Sequence, residues 1–266
     1  MSLIIPLCSS SSGNSVFIGS RNAGILIDAG CSLKQLRFLL DSCGTSIDAV
    51  KAVLITHEHK DHIKGLFQLT KHYPDIPVYA SEGTLCALTA DGAVASMANL
   101  HDKSALKNAP VDYYIKAFNT PHDGAESLGF ILEDSSNDYK IAYCTDLGTI
   151  TNEVRKNVTG CDFIFLESNY QPELLQRNPN YPPFLKKRIA SEYGHLSNGD
   201  CADFLIELLK NGAKRFILGH LSRENNTPEI AYNKAVTRLS RQGAVMNRDY
   251  TLEIAPVINE GTVVAV

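Results

Sequence analysis

The sequence predicts an α/β protein in which helices cover β-sheets. Short apolar runs typical of strands recur along the chain, and apolar residues at helical spacing lie between several of them. The chain has 266 residues, of which 44% are hydrophobic and 20% charged, so it can bury a core without disulfides. Because no repeat or long linker divides it, we expect a single domain over residues 1–266.

The predicted strands are short apolar runs. They are Ser15–Ile18, Gly24–Ile27, Ala52–Ile55, Val78–Ala80, Tyr114–Phe118, Gly129–Leu132, Ile141–Thr145, Phe163–Leu166, Phe216–Leu218 and, near the end, Tyr250–Ile254. Strands interspersed with helices predict sheets with helices packed against them.

The predicted helices have leucines, alanines and isoleucines at helical spacing, and two of them have a capping residue. One begins after Ser32 and ends before Gly44, one covers Ile63–His72, one begins after Asp200 and ends before Gly212, and one covers Ile230–Leu239. Serine and aspartate favour the N-cap because their side chains accept hydrogen bonds from free backbone amides, and glycine favours the residue after a helix.

Composition excludes several classes of protein. The net charge of −4 provides no general attraction for nucleic acid, so any such binding needs a local patch. The seven cysteines are an odd number without C-x-x-C spacing, which is typical of reduced thiols in the cytosol. No stretch approaches the roughly 20 apolar residues of a membrane span, and the N-terminus lacks a signal-peptide pattern. We therefore expect a soluble, cytoplasmic protein without a membrane partner.

The chemistry is concentrated in the run from Thr56 to His62. His57, His59, Asp61 and His62 follow a predicted strand directly, and a loop at a strand end lets side chains converge. Imidazole and carboxylate groups at this spacing are suited to bind divalent metal ions, and two-metal sites hold their ions roughly 3.5–4 Å apart. A histidine-rich solvated loop is the structural alternative.

Three further donor residues follow other apolar runs. His122 comes after Tyr114–Phe118, Asp146 after Ile141–Thr145, and His220 after Phe216–Leu218. Each alone is equally consistent with a structural role, but together they predict a site for two divalent metal ions. Five histidines and two aspartates fit zinc or manganese, with iron as a further option.

This spacing resembles the metallo-β-lactamase superfamily, and the resemblance covers nearly the whole chain. It implies the four-layer αββα sandwich, with His57, His59 and His122 on one metal. It also implies Asp61, His62 and His220 on the other, with Asp146 bridging and a hydroxide between the metals as nucleophile. Asp61 would orient that water or take its proton, and Asp28 would orient a ligand histidine.

Further motifs resemble the compact bacterial WalJ/YycJ branch, on the nuclease side of the superfamily with ribonucleases Z and J. They are Cys8–Ser15, Ile27–Gly30, Pro121–Asp123, Glu167–Tyr170, Gly194–Asn198 and Gly219–Asn226. The resemblance implies metal-dependent phosphodiester hydrolysis, with a 5′-to-3′ DNA exonuclease as the best single prediction. Only 74 positions separate Asp146 from His220, too few for the β-CASP insertion of ribonuclease J.

Several residues are candidates for catalysis or substrate binding. By the same resemblance His195 would be the general acid or a hydrogen-bond donor to the phosphate, although a packed structural histidine remains an alternative. Asn14, Asn169 and Arg223 are expected to support the metal ligands or contact substrate; the loop Ser9–Asn14 could equally be a plain turn. The basic cluster Pro182–Arg188 could hold a nucleic-acid backbone or be a solvated helix face.

Two other functions remain open at this point. A small-molecule hydrolase of the glyoxalase II kind, a thioesterase or lactonase, could use the same metal donors. His195 and the segment Arg223–Asn225 favour the nuclease, because an ester with a good leaving group needs no such acid. A non-catalytic regulator is disfavoured because Asp61 is present. The resemblance favours DNA over RNA as the substrate, and the sequence does not determine the oligomeric state.

Overall fold

A computed structural model describes residues 3–134 and 139–265. Within these residues the chain forms two compact units. The first contains the described residues of 1–112, 124–128 and 256–266, and the second those of 113–123 and 129–255. That these units make up one domain over residues 1–266 stays a prediction.

The elements follow one another in the order expected of an α/β chain. The strands are β1 (Leu3–Ser10), β2 (Gly13–Gly19), β3 (Gly24–Ile27), β4 (Val50–Leu54), β5 (Val78–Ala80), β6 (Leu100–Asp102), β7 (Tyr113–Asn119), β8 (Leu128–Asp134), β9 (Tyr139–Cys144), β10 (Phe163–Glu167), β11 (Arg215–Gly219), β12 (Thr251–Ile254) and β13 (Val264–Ala265). The helices are α1 (Leu33–Ser42), α2 (Lys60–Ile63), α3 (Leu66–His72), α4 (Glu82–Ala90), α5 (Asn152–Val158), α6 (Pro172–Arg177), α7 (Pro183–Ile189), α8 (Asn198–Lys210) and α9 (Pro228–Ser240).

The first unit contains a mixed sheet with the strand order β13-β1-β2-β3-β4-β5-β6 in the described residues. Strands β1 to β3 are antiparallel, and β3 to β6 are parallel and are joined by crossovers that include α1, α3 and α4. Leucines of α1 and α3 pack on one face of this sheet, as the helical spacing predicts. Strands β3 and β4 end side by side, with Ile27 paired to Leu54, so the residues that follow them meet at one edge.

The second unit contains a sheet with the order β12-β11-β10-β9-β8-β7. Strands β9 to β12 are parallel, and β8 runs antiparallel to β9. Buried apolar residues of α5, α8 and α9 pack against it. Because Leu166 pairs with Cys144 and Glu167 with Gly219, the carboxyl ends of β9, β10 and β11 lie next to each other. Parallel strands place ligand-binding residues at this end.

The α/β class is confirmed, and two helix boundaries need correction. The cap of α8 is Ser197, whose hydroxyl accepts a hydrogen bond from the Asp200 amide; the helix therefore begins before Asp200, which lies in its first turn. The predicted helix Ile63–His72 is interrupted, because the Gly65 amide bonds to the Ala29 carbonyl, and a Cβ there would lie 2.2 Å from the Cys31 carbonyl oxygen.

Two predictions about the chain's setting concern membranes and cysteines. In the part of the chain that the structure describes, no helix combines the length and the apolar character needed to cross a membrane. The seven cysteines all lie in described ranges and are free thiols, six of them buried.

Candidate functional site

In the first unit, the four predicted donors His57, His59, Asp61 and His62 lie together just after β4. His59 is the N-cap of α2 with extended backbone, which puts Asp61 and His62 in the first turn of that helix. The ring of His57 lies 4.5 Å from that of His59 and 4.2 Å from that of His62, between ring centroids. Asp61 Oδ2 lies 3.5 Å from His62 Nε2. The four side chains of this short run thus lie close together.

Asp28 fixes the orientation of His62. Its buried carboxylate accepts hydrogen bonds from His62 Nδ1 at 2.7 Å and from the amide and hydroxyl of Thr56 at 2.8 and 2.9 Å. Burial raises the pKa of the Asp28 carboxyl, and the contacts with His62 and Thr56 oppose that rise. Because a carboxylate accepts the Nδ1 hydrogen, the opposite nitrogen of His62, Nε2, is the one available to a metal.

Asn14 touches two of the donors. Its side-chain amide lies 3.2 Å from Asp61 Oδ2 and 3.1 Å from His62 Nε2, and it donates to the Ser10 carbonyl at 2.9 Å. The pairing of Ser10 with Gly13 makes the chain between them a two-residue hairpin turn. Asn14 can approach Asp61 because Gly30 lies between them; a Cβ on Gly30 would lie 1.9 Å from the Asp61 carbonyl oxygen.

In the second unit, His122, Asp146 and His220 lie together after their strands. Asp146 Oδ1 is 3.3 Å from His220 Nδ1 and 3.7 Å from His122 Nε2. His122 Nδ1 donates to the Gly194 carbonyl at 2.9 Å. Burial lowers the pKa of His122, against the opposing effect of Asp146, which favours the neutral ring that a metal ligand needs.

Three of the predicted site residues have left-handed backbone. Asp28, Asp146 and His220 have φ values of 60°, 56° and 53°, and each follows the end of a strand within two residues. A non-glycine residue in this region is uncommon, and such residues cluster at functional sites. The backbone thus turns sharply at the strand end and directs a polar side chain toward the sheet edge.

Glu167, the last residue of β10, has a central role that the sequence analysis missed. Its Oε1 accepts hydrogen bonds from Nδ1 of His195 at 2.8 Å and of His220 at 2.7 Å. Its Oε2 accepts from the amides of Leu147 and Leu196 at 3.1 and 3.0 Å. Burial alone would raise the pKa of this carboxyl, but His195 and His220 outweigh it and lower the pKa. The signal was available, since Glu167 is also a polar residue at the exit of an apolar run.

His195 is the predicted catalytic histidine, and the structure brings it to the donors of the second unit. Its ring centroid lies 5.0 Å from that of His122 and 5.2 Å from that of His220, and its side chain is 22% exposed. Since Glu167 accepts the Nδ1 hydrogen, Nε2 is the nitrogen that can act on a substrate. His195 is thus more exposed than His122 and His220, and its hydrogen bond to Glu167 fixes the orientation of its ring.

The other two predicted supporting residues lie around His220. The Asn169 side-chain amide donates to the backbone carbonyl of His220 at 2.8 Å, and the backbone carbonyl of Asn169 accepts from the Ser222 amide. Asn169 therefore holds the loop that carries His220. Arg223 lies exposed in that loop, three residues beyond His220.

The donor chemistry fits divalent metal ions. In the second unit the ligand atoms of Asp146, Glu167, His195 and His220 all lie within 4.8 Å of one another. Three of the predicted ligand histidines have Nδ1 bonded to the protein, to Asp28, the Gly194 carbonyl and Glu167 respectively, which is the usual support of metal-binding imidazole. Nitrogen and oxygen donors together suit zinc, manganese and iron.

Comparison with known proteins adds independent information. The model of the family described as beta-lactamase superfamily domain matches residues 24–221. Exodeoxyribonuclease YycJ of Bacillus anthracis is 32% identical over 245 residues, which cover 89% of both proteins. Exodeoxyribonuclease WalJ of Streptococcus pneumoniae serotype 2 is 34% identical over 250 residues, covering 92% of this chain and 90% of that protein. The crystal structure of the metallo-β-lactamase fold protein YhfI from Bacillus subtilis superposes with a TM-score of 0.71 at 15% identity, covering 98% of each chain.

Proposed function

Because this chain belongs to the beta-lactamase superfamily, with the metallo-β-lactamase fold, we propose that it is a metal-dependent exodeoxyribonuclease. The observation that carries this proposal is its 32–34% identity to two exodeoxyribonucleases over about nine-tenths of each chain. The family match over residues 24–221 spans every predicted donor residue. Three of the predicted ligand histidines, His62, His122 and His220, also have the supporting Nδ1 hydrogen bonds that are usual for metal-binding imidazole.

We assign the donors to two divalent ions on the pattern of the superfamily. His57, His59 and His122 are proposed ligands of one ion, Asp61, His62 and His220 of the other, and Asp146 is the proposed ligand of both. Bound ions supply Lewis-acid activation of water and neutralise charge on the phosphate. Zinc, manganese and iron all fit these nitrogen and oxygen donors, and manganese is our first choice for an assay.

The protein's own residues provide proton transfer and positioning. Asp61, partly exposed beside His62, orients the attacking water and accepts its proton. His195 Nε2 protonates the leaving oxygen or donates a hydrogen bond to the scissile phosphate, whose transition state gains most from such fixed donors. Glu167 holds Nδ1 of His195, so that its ring keeps one tautomer and one orientation. Asp28 does the same for His62.

DNA as the substrate and degradation from the 5′ end are the finer parts of this proposal. The alternative is a thioesterase or lactonase reaction at the same residues, and the presence of a fixed, accessible His195 favours the phosphodiester. We also propose a reducing cytoplasmic setting, which the free thiols of the cysteines support.

A substrate panel tests the proposal. Purified protein with Mn²⁺ is incubated with duplex DNA, single-stranded DNA and RNA, each with a 5′-phosphate or a 5′-hydroxyl, and with a glutathione thioester; EDTA is the control. We expect DNA labelled at the 5′ end to release labelled nucleotide at once, and DNA labelled at the 3′ end to give a ladder of shortening products. Turnover of the thioester without degradation of any DNA would overturn the proposal.

A further inference from the structure

An aromatic and basic segment lies beside the donors of the second unit. We define the α7 segment as residues 183–194, which contain α7 and the loop that leads to His195. The loop folds back on the helix, because the His195 amide donates to the Ile189 carbonyl at 2.9 Å and a Cβ on Gly194 would lie 2.2 Å from the Arg188 carbonyl oxygen. The Gly194 carbonyl in turn holds His122. The α7 segment is thus attached directly to two site histidines.

One face of α7 carries an exposed ring beside exposed cations. Phe184 is 74% exposed, and Lys187 and Arg188 are exposed three and four residues later, which puts them on the same helix face. Arg188 donates to the Asp123 carboxylate, next to His122 in the chain. Phe184 lies four residues before Arg188, about 6 Å along the helix axis, and Arg188 ties this helix to the residue that follows His122.

The charges of the α7 segment make it a local basic patch on an acidic protein. It contains Lys186, Lys187 and Arg188 against the single carboxylate of Glu192, whereas the chain has a net charge of −4. The Lys186 ammonium donates to the Gln176 carbonyl. No described residue accepts a hydrogen bond from the ammonium of Lys187, so that group is available to an anion. Tyr193, which is 61% exposed, is a second exposed aromatic residue in the same segment.

We propose that the α7 segment binds a single strand of the DNA substrate, with a base stacked on Phe184 and a phosphate paired with Lys187. An exposed aromatic ring beside a cation is the arrangement that binds single strands without sequence preference. A base must leave the duplex stack to lie on Phe184, which suits the frayed end on which an exonuclease acts. This inference rests on the proposed function and identifies where the strand next to the scissile phosphate is held.

Binding measurements test the segment separately from catalysis. The affinity of the full-length protein for 3′-fluorescein-labelled oligothymidylate is measured by anisotropy in EDTA, so that no hydrolysis occurs. The variants are Phe184→Ala, Phe184→Trp and Lys187→Gln. The matched controls are Phe38→Ala and Lys34→Gln on α1 in the first unit, where Phe38 is 68% exposed. A second probe carries abasic sites in place of the thymidines.

We expect Phe184→Ala to weaken binding about five-fold or more, the lower end of base stacking on a protein ring, and Phe184→Trp to retain it. The abasic probe should bind wild type and Phe184→Ala equally. Lys187→Gln should reduce the slope of log affinity against log salt by about 0.7, the value for one neutralised phosphate on a single strand. The α1 controls should bind like wild type.

Hydrolysis assays keep the two proposals distinguishable. With Mn²⁺, Phe184→Ala should raise KM for DNA and leave hydrolysis of bis(p-nitrophenyl) phosphate unchanged, since that small diester needs no strand contact. If Phe184→Ala and Lys187→Gln bind DNA like wild type while wild type degrades it, the strand contact is wrong and the nuclease stands. If wild type degrades no DNA, the proposed function fails, whatever the binding data show.

Discussion

Replacing Glu167 by glutamine tests how the second unit fixes its histidines. The carboxylate accepts four hydrogen bonds, two from imidazole Nδ1 atoms and two from backbone amides. Glutamine has only one acceptor oxygen, so its NH₂ group must face either two imidazole donors or two amide donors. Hydrogen bonds to a charged group contribute about 1.5–3 kcal/mol each, so two lost bonds remove about 3–6 kcal/mol from the energy that holds His195 and His220.

We expect Glu167→Gln to lower metal affinity and kcat for DNA by about 10–100-fold, the usual cost of removing the partner of a metal-ligating histidine. Metal affinity is measured by competition with a chelating dye, and kcat by nucleotide release, after circular dichroism has confirmed folding. Glu207→Gln is the matched control, since Glu207 pairs at 2.8 Å with Arg155 on the surface, a contact that contributes at most about 1 kcal/mol. Wild-type metal affinity and kcat in Glu167→Gln would refute the positioning role.

Three other substitutions have defined outcomes. Asp61→Asn should abolish DNA turnover and retain most of the bound metal by elemental analysis, because an amide oxygen can still bind metal but is a poor proton acceptor; wild-type turnover would contradict the role of Asp61 as base. His195→Ala should keep both ions and lose about 10²–10⁴-fold in kcat, the usual contribution of a general acid, and a wild-type rate on DNA would exclude that role. Ser197→Ala should lower the free energy of unfolding by about 1 kcal/mol in urea titrations, because it removes the α8 cap; an unchanged midpoint would contradict the cap assignment.

Much of the site follows from a simple rule about strands. A polar metal ligand just after an apolar run predicted Asp146 and His220, because parallel strands end at one edge of a sheet. Applied to Phe163–Leu166, the same rule selects Glu167. Glu167 was not predicted as a site residue because it does not belong to the set of metal ligands that the resemblance implies. Glu167 is not itself a proposed ligand, yet it orients the proposed ligand His220 and the catalytic candidate His195.

Other features depend on contacts that no local pattern encodes. The left-handed backbone of Asp146 and His220 is set by tertiary structure, since aspartate and histidine adopt it only occasionally. The break between α2 and α3 arises where Gly65 meets the chain around Ala29, a contact between residues far apart in sequence. The α8 cap was misassigned because Ser197 and Asp200 are both good capping residues, and the choice depends on where the preceding loop ends.

Metal reconstitution tests the central claim most directly. Protein stripped with chelator is titrated with Mn²⁺ while nucleotide release from 5′-labelled DNA and bound metal per chain are measured on the same samples. The account predicts no release without metal and full activity when two ions are bound per chain. DNA degradation that persists in the stripped protein, or a fully loaded protein that degrades no DNA, would contradict it.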